Sequence, residues 1–148
     1  MKLNDIYKLA ISLGMDNDPR GADAVRKELE RRRKEYEDKP EKEKKRFDLE
    51  SLENPFSDTR ILAGDPDLEV GGVITGIDME VGEILLADRL RERGRRIDLI
   101  LAHHPEGSAL AGLYQVMPMQ EDILHQLGVP INVAQGLMEE RISEVERS

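Results

Sequence analysis

The chain has 148 residues and no cysteine, so it can bury one domain-sized core and has neither a disulfide framework nor a thiolate metal site. No apolar run approaches the roughly 18–20 residues that cross a bilayer, and the first residues do not open a signal peptide, so we expect a soluble, cytoplasmic protein without a membrane anchor. The net charge of −9 argues against general nucleic-acid binding.

The first 54 residues are predicted to form a helical, charged N-terminal segment. Residues 20–46 contain twelve basic and eight acidic residues, a net charge of +4, which leaves −13 for the rest of the chain. Such a basic stretch could steer anionic ligands. The acids are interleaved at helical spacing, however, as in Glu28 with Arg32 and Glu30 with Lys34, and this spacing favours a solvated, ion-paired helix face.

Hydrophobic periodicity predicts the elements of this segment. The first helix runs from Asp5 to Leu13 and ends at Gly14. Asp18 and Pro19 favour the start of a second helix through Asp38, which carries a narrow apolar stripe suited to packing against another helix. The stripe consists of Ala22, Val25, Leu29 and Tyr36. A short helix is expected between Pro40 and Asn54, followed by an edge strand over Thr59–Ala63.

The remainder, residues 55–148, is predicted to be an α/β domain built on one β-α-β unit. Residues 70–77 favour a strand, and residues 97–102 form a short apolar run typical of a buried parallel strand. Between them lies a helical pattern that ends at Gly94. Its apolar face is formed by Val81, Ile84, Leu85 and Leu90. A right-handed crossover of this kind places the ends of both strands at one edge of the sheet.

Two adjacent histidines, His103 and His104, follow the second strand and precede Pro105. Imidazole is the commonest side-chain metal ligand, so the pair is a candidate metal site; the alternative is a satisfied polar edge. Successive strand side chains point to opposite faces, but Pro105 ends the strand, so the two rings could splay toward two nearby ions. Asp78, after the first strand, is predicted to cap the helix, or else to contact an ion or a bound water.

The C-terminal third is predicted to be largely helical. Gly107–Gly112 favours a mobile loop over the site, a helix follows from Pro118 to Leu127, and a last helix runs from Gln135 to Arg147. His125 is expected on the surface. Because the second and the last helix carry apolar stripes that one small sheet does not cover, we expect a homo-oligomer.

The segment from Val70 to Pro105 resembles the N-terminal part of the NIF-three-like family, also called GTP cyclohydrolase I type 2-like. The resemblance rests on Gly76-Ile77-Asp78, an amphipathic helix, and a strand that ends in His103-His104-Pro105. It implies a dinuclear metal centre to which His103 and His104 each contribute, with zinc, manganese or iron as the ion. It also implies a metal-dependent hydrolase.

The chain departs from the family pattern after Pro105. The downstream His-Thr and Asp segment and the C-terminal histidine and glutamate of the family have no counterpart here, and the chain is shorter than two-halved family members. We therefore expect an N-terminal fragment of a longer family member, forming a small β-α-β-containing sheet flanked by helices. Its catalytic residues are not predicted. Three classes stay open: a metal-dependent hydrolase, a metal-binding protein without turnover, and an interaction domain.

Overall fold

The structure, a computed structural model, describes residues 1–147. It is a mixed α/β protein, 57% helical, with a two-stranded parallel sheet, and its N-terminal segment is helical as predicted. The elements in chain order are α1 (Leu3–Asp16), α2 (Ala22–Asp38), α3 (Glu41–Lys44), β1 (Val73–Gly76), α4 (Val81–Glu92), β2 (Leu99–Ala102), α5 (Gly107–Ala111), α6 (Met119–Gln126) and α7 (Ile131–Arg147). Turns of 3₁₀ helix lie at Leu49–Leu52 and Leu113–Gln115.

The sequence predicted that helix α1 ends at Gly14, but the helix continues to Asp16. Gly14 instead allows a close contact with another side chain. A Cβ atom at Gly14 would lie 2.7 Å from Cε2 of Phe56, which is too close for any side chain. Gly14 therefore lets the Phe56 ring pack against the helix backbone.

Helix α2 begins at Ala22 rather than at Pro19, because Asp18 is used differently from a helix cap. The buried Asp18 carboxylate accepts hydrogen bonds from Nε and NH2 of Arg20, at 3.0 and 2.9 Å. Two of the four residues of the predicted apolar stripe lie in the core of this chain, since Val25 is fully buried and Leu29 is 8% exposed. Tyr36 is half-buried and Ala22 is exposed.

The segment after α2 is held by buried polar groups. Asn54, 2% exposed, donates from Nδ2 to the Thr59 carbonyl at 2.8 Å and accepts at Oδ1 from the Phe56 amide at 2.8 Å. Arg32 donates to the carbonyls of Asn54 and Pro55. The strand predicted over Thr59–Ala63 is not formed, because that stretch has no ladder partner within the described residues.

Two strands and an intervening helix form in the predicted order, with shorter strands than the sequence predicted. Strands β1 and β2 pair in parallel, with Val73 beside Leu99 and Gly76 beside Ala102. The Asp98 carboxylate fixes the start of this pairing, since its Oδ2 accepts from the amides of Gly71 at 2.8 Å and Gly72 at 3.0 Å. The Gly71 amide in particular, and the Arg96 side chain, hold the pKa of Asp98 below its usual value.

The unit is more exposed than the sequence predicted. Three of the four residues expected on the buried face of α4 are at the surface, with Val81 72% exposed; the other two are Ile84 and Leu85. Ala87 is buried instead. Strand β2, expected to be buried, exposes Leu101 to 48%. Only two strands form the sheet in residues 1–147, so they leave much of each face uncovered.

The C-terminal third is helical, and the expected mobile loop at Gly107–Gly112 is a helix, α5. The buried Ser57 hydroxyl donates to the Gly112 carbonyl at 2.7 Å and ties this region to the stretch that follows the N-terminal segment. Helix α7 begins at Ile131, four residues before the predicted start, and buries Ala134 and Met138. In the described part of the chain, no helix has the length and apolar character needed to cross a membrane.

Candidate functional site

The backbone pairing of β1 and β2 continues beyond both strands and sets the position of the histidines. The His103 amide donates to the Gly76 carbonyl at 2.9 Å, and the His104 amide donates to the Ile77 carbonyl at 2.8 Å. Because neighbouring strands lie about 4.8 Å apart, this continuation brings Asp78 beside His104. The prediction that Asp78 and the histidine pair meet at one edge of the sheet is therefore confirmed.

Asp78 and His104 form a direct side-chain hydrogen bond. Oδ1 of Asp78 lies 2.7 Å from Nδ1 of His104, and the two side chains are 63% and 57% exposed. An ionised carboxylate only accepts hydrogen bonds, so the proton of the neutral imidazole belongs on Nδ1. This arrangement leaves Nε2 of His104 with a free lone pair, which is the form that binds metals.

The predicted role of Asp78 as a helix cap is wrong. The N-cap of α4 is Glu80, two residues later, and it forms a capping box with Glu83. The Glu83 carboxylate accepts from the Glu80 amide at 3.0 Å. Since the helix start is satisfied by these two glutamates, the Asp78 carboxylate is available to the histidine.

The two imidazole rings are in edge-to-face contact instead of splaying apart. Their centroids are 5.3 Å apart and their planes make an angle of 62°. Side chains on opposite faces of a regular strand would be farther apart. The strand ends at Ala102, and Pro105 biases His104 away from helical geometry, so the pair departs from strict alternation. The two rings are therefore in contact with each other at the strand end.

The donor set around the pair is small. Within residues 1–147, no group of three or more histidine, cysteine, aspartate or glutamate side chains is arranged to hold a metal ion. The pair thus offers two exposed imidazoles, one of them oriented by a carboxylate. Such a set can bind an ion whose other positions are filled by water.

His125 lies away from the pair and is exposed, as predicted. Its Nδ1 is 3.1 Å from the Val129 carbonyl oxygen, so the ring supports the turn after α6. His125 was not predicted to bind a metal, and its contact with Val129 is a local structural one.

A polar network near α1 was not foreseen from the sequence. Arg60 contacts Oδ2 of Asp48 at 2.5 Å and Oε2 of Glu50 at 2.6 Å, while the Tyr7 hydroxyl donates to Glu50. Burial, together with the bond to Glu50, raises the pKa of Tyr7 above its usual range. These residues are separated by up to about fifty positions, and no short motif links them. Their partners are one another, which indicates a structural role.

Comparison with known proteins identifies no family. No family model, no curated protein and no solved structure matches this chain.

Proposed function

We propose that this chain is a NIF-three-like metal-binding protein that holds a divalent ion between His103 and His104. The observation that carries the proposal is the 2.7 Å contact between Asp78 and Nδ1 of His104 at the ends of two paired strands. Metal-binding histidines usually donate their second ring nitrogen to a carboxylate or a carbonyl, which fixes the tautomer and raises the basicity of the ligating nitrogen. The Asp78–His104 pair has this form.

The spacing of the rings supports an ion shared by both histidines. With metal–nitrogen bonds of about 2.0–2.1 Å and a tetrahedral angle, two imidazoles on one ion have ring centres about 5 Å apart. The observed separation is 5.3 Å. Imidazole nitrogen suits zinc and iron, and manganese is the third candidate. The separation of the ring centres thus supports a two-histidine ion site.

Two protein ligands are expected to bind the ion weakly. Structural zinc sites with four ligands release about 10–16 kcal/mol, so half that ligand set contributes about 5–8 kcal/mol. This range corresponds to a Kd from about one micromolar to a few hundred micromolar. The exposure of the pair allows water to complete the coordination.

A hydrolase of the GTP cyclohydrolase I type 2-like kind would need more than this pair. A divalent ion supplies Lewis acidity and lowers the pKa of a bound water. This chain contributes binding through His103 and His104 and orientation through Asp78, but a catalytic ion is usually held by at least three protein ligands. The two-histidine set therefore favours metal binding without turnover over hydrolysis.

We also propose that the helices flank the sheet in a right-handed β-α-β crossover.

Isothermal calorimetry with zinc at pH 7.5 tests the proposal. We expect one ion per chain with the affinity given above, and loss of binding in the His103→Ala/His104→Ala double variant. The matched control is His125→Ala, which removes the remaining histidine of the chain and should bind as the wild type does. Equal binding by the double variant and the wild type would overturn the proposal.

A further inference from the structure

We propose that an arginine cluster at the end of α4 binds the phosphate backbone of duplex DNA. Five of the eight residues from Arg89 to Arg96 are arginine, and one, Glu92, is acidic. The net charge of this stretch is therefore +4, which leaves −13 for the rest of the chain. All five arginines are exposed. The cluster consists of Arg89, Arg91, Arg93, Arg95 and Arg96.

The backbone completes the end of α4 without help from the arginine side chains. The Gly94 amide donates to the Arg91 carbonyl at 2.9 Å, and Gly94 has a φ of +80°. The Arg95 amide donates to the Leu90 carbonyl, also at 2.9 Å. These are the two hydrogen bonds of a Schellman motif, which satisfies the last carbonyls of a helix. The guanidinium groups are therefore not required as helix caps.

Ion pairs within the chain account for two of the five arginines. Arg89 contacts Oε2 of Glu92 at 2.7 Å. Arg96 contacts Oδ2 of Asp98 at 2.8 Å, and the same oxygen accepts the amides at the start of the strand pairing. Because these two charges are already compensated, they are not counted toward the proposed contact.

The other three arginines have no partner in the described part of the chain. The side chains of Arg91, Arg93 and Arg95 make neither an ion pair nor a hydrogen bond with residues 1–147. Asp88 lies three residues before Arg91, and no ion pair joins the two among the described residues. Three exposed guanidinium charges are thus available to an external anion at one helix end.

The residue type favours phosphate as that anion. The stretch from Arg89 to Arg96 contains no lysine, although lysine would complement the helix dipole equally well. A planar guanidinium offers two parallel donors that match two oxygens of one phosphate. Exposed ion pairs with carboxylates, in contrast, contribute little to affinity. An acidic protein segment is therefore a weaker partner for this cluster than a phosphate polymer.

The exposure of the cluster favours an extended polyanion. Duplex DNA carries one negative charge per about 1.7 Å of its axis, and neutralising its phosphates releases counterions, which drives binding. The cluster has no aromatic side chain on which an unpaired base could stack, so we expect no preference for single strands. The negative charge elsewhere on the chain is screened beyond about 10 Å at 0.1 M salt, so the contact is local.

Fluorescence polarisation with a short labelled DNA duplex tests the proposal, with EDTA present so that the result is independent of metal binding. We expect a Kd of about 0.1 mM at physiological salt, the weak end of non-specific binding. Contact with three phosphates predicts a slope of about −2.7 for the logarithm of the association constant against the logarithm of the salt concentration. A polyglutamate competitor should not displace the duplex.

The decisive variant replaces the three unpaired arginines, as Arg91→Gln/Arg93→Gln/Arg95→Gln. It should bind at least about tenfold more weakly, and the slope should approach zero. The matched control makes the same charge change at three exposed cations without ion pairs in the described chain and should bind as the wild type does. That control is Lys42→Gln/Lys45→Gln/Arg46→Gln.

Four outcomes would overturn the proposal: no binding by the wild type, equal losses in the two triple variants, tighter binding to single strands, or displacement by polyglutamate. Because all six substituted positions are exposed, both variants should keep the circular dichroism spectrum of the wild type. A loss of binding with an unchanged spectrum assigns the effect to the cluster and not to unfolding.

Discussion

Replacing Asp78 with asparagine tests how the proposed site is oriented. The substitution preserves the shape of the side chain and removes its charge, so the hydrogen bond to Nδ1 of His104 weakens and loses its preference for one tautomer. Loss of such a supporting group costs about 10–100-fold in metal affinity. Both side chains here are more than half exposed, and solvent screening reduces the effect. We therefore expect a loss of about 3–10-fold, or about 0.7–1.4 kcal/mol.

The assay is zinc calorimetry on the wild type, Asp78→Asn and Asp88→Asn. Asp88 is an exposed acid on α4 with no contact to the histidines. Asp88→Asn makes the same change in net charge as Asp78→Asn and is therefore the matched control. We expect Asp88→Asn to bind zinc as the wild type does. Full zinc affinity of Asp78→Asn, or an equal loss of affinity in both variants, would contradict the supporting role of Asp78.

The remaining predictions concern stability and turnover. Asp18→Ala should lower the free energy of unfolding by about 2–4 kcal/mol, because Arg20 is only 11% exposed and loses its closest partner, while Asp122 stays 3.8 Å away. In urea denaturation, substituting the exposed Asp23 should matter little. The Arg20 side chain above all lowers the pKa of Asp18 below 3.8. The stabilisation by this pair is therefore complete above that pH and is lost as the pH falls further. In Asp18→Asn, the free energy of unfolding should depend less on pH in this acid range. Val25→Ala should cost about 2–3 kcal/mol, and Val81→Ala less than about 0.5 kcal/mol, because the first valine is fully buried and the second is 72% exposed. Incubation with GTP and Mn²⁺ should yield no product by chromatography; product formation that requires His104 would reveal further ligands.

The order of strand, helix and strand from Val73 to Ala102 could be predicted because its signals are local. Apolar β-branched runs, a 3.6-residue period and a glycine after the helix each act within a few residues. The contact between Asp78 and the histidines followed from the same topology. These predictions needed only the rule that parallel strands end at one edge.

Burial could not be predicted in the same way. The face of α4 with Val81, Ile84 and Leu85 has the period of a core helix, but burial depends on which element covers it. In residues 1–147 these side chains remain exposed. Periodicity marks a face that is able to pack, whereas the partner is a tertiary property.

The predicted helix boundaries were wrong where the signalling residue makes a different contact or another residue takes its role. Gly14 predicts a helix end, yet it lies within α1, where the absence of a side chain makes room for the Phe56 ring. Asp18 reads as a cap, yet it pairs with Arg20. Asp78 reads as a cap as well, and the capping box of Glu80 and Glu83 takes that role. Only the Gly14–Phe56 contact is distant in sequence; the Asp18–Arg20 pair and the Glu80–Glu83 box are local contacts that competed with the predicted caps.

Histidine NMR during a zinc titration tests the central claim most directly. The chain has three histidines, so ring-labelled protein gives three sets of imidazole signals. We expect the signals of His103 and His104 to shift or broaden together at substoichiometric zinc, and the His125 signals to stay unchanged. Shifts of equal size at all three rings, or no shift at His103 and His104, would contradict a metal site at this pair.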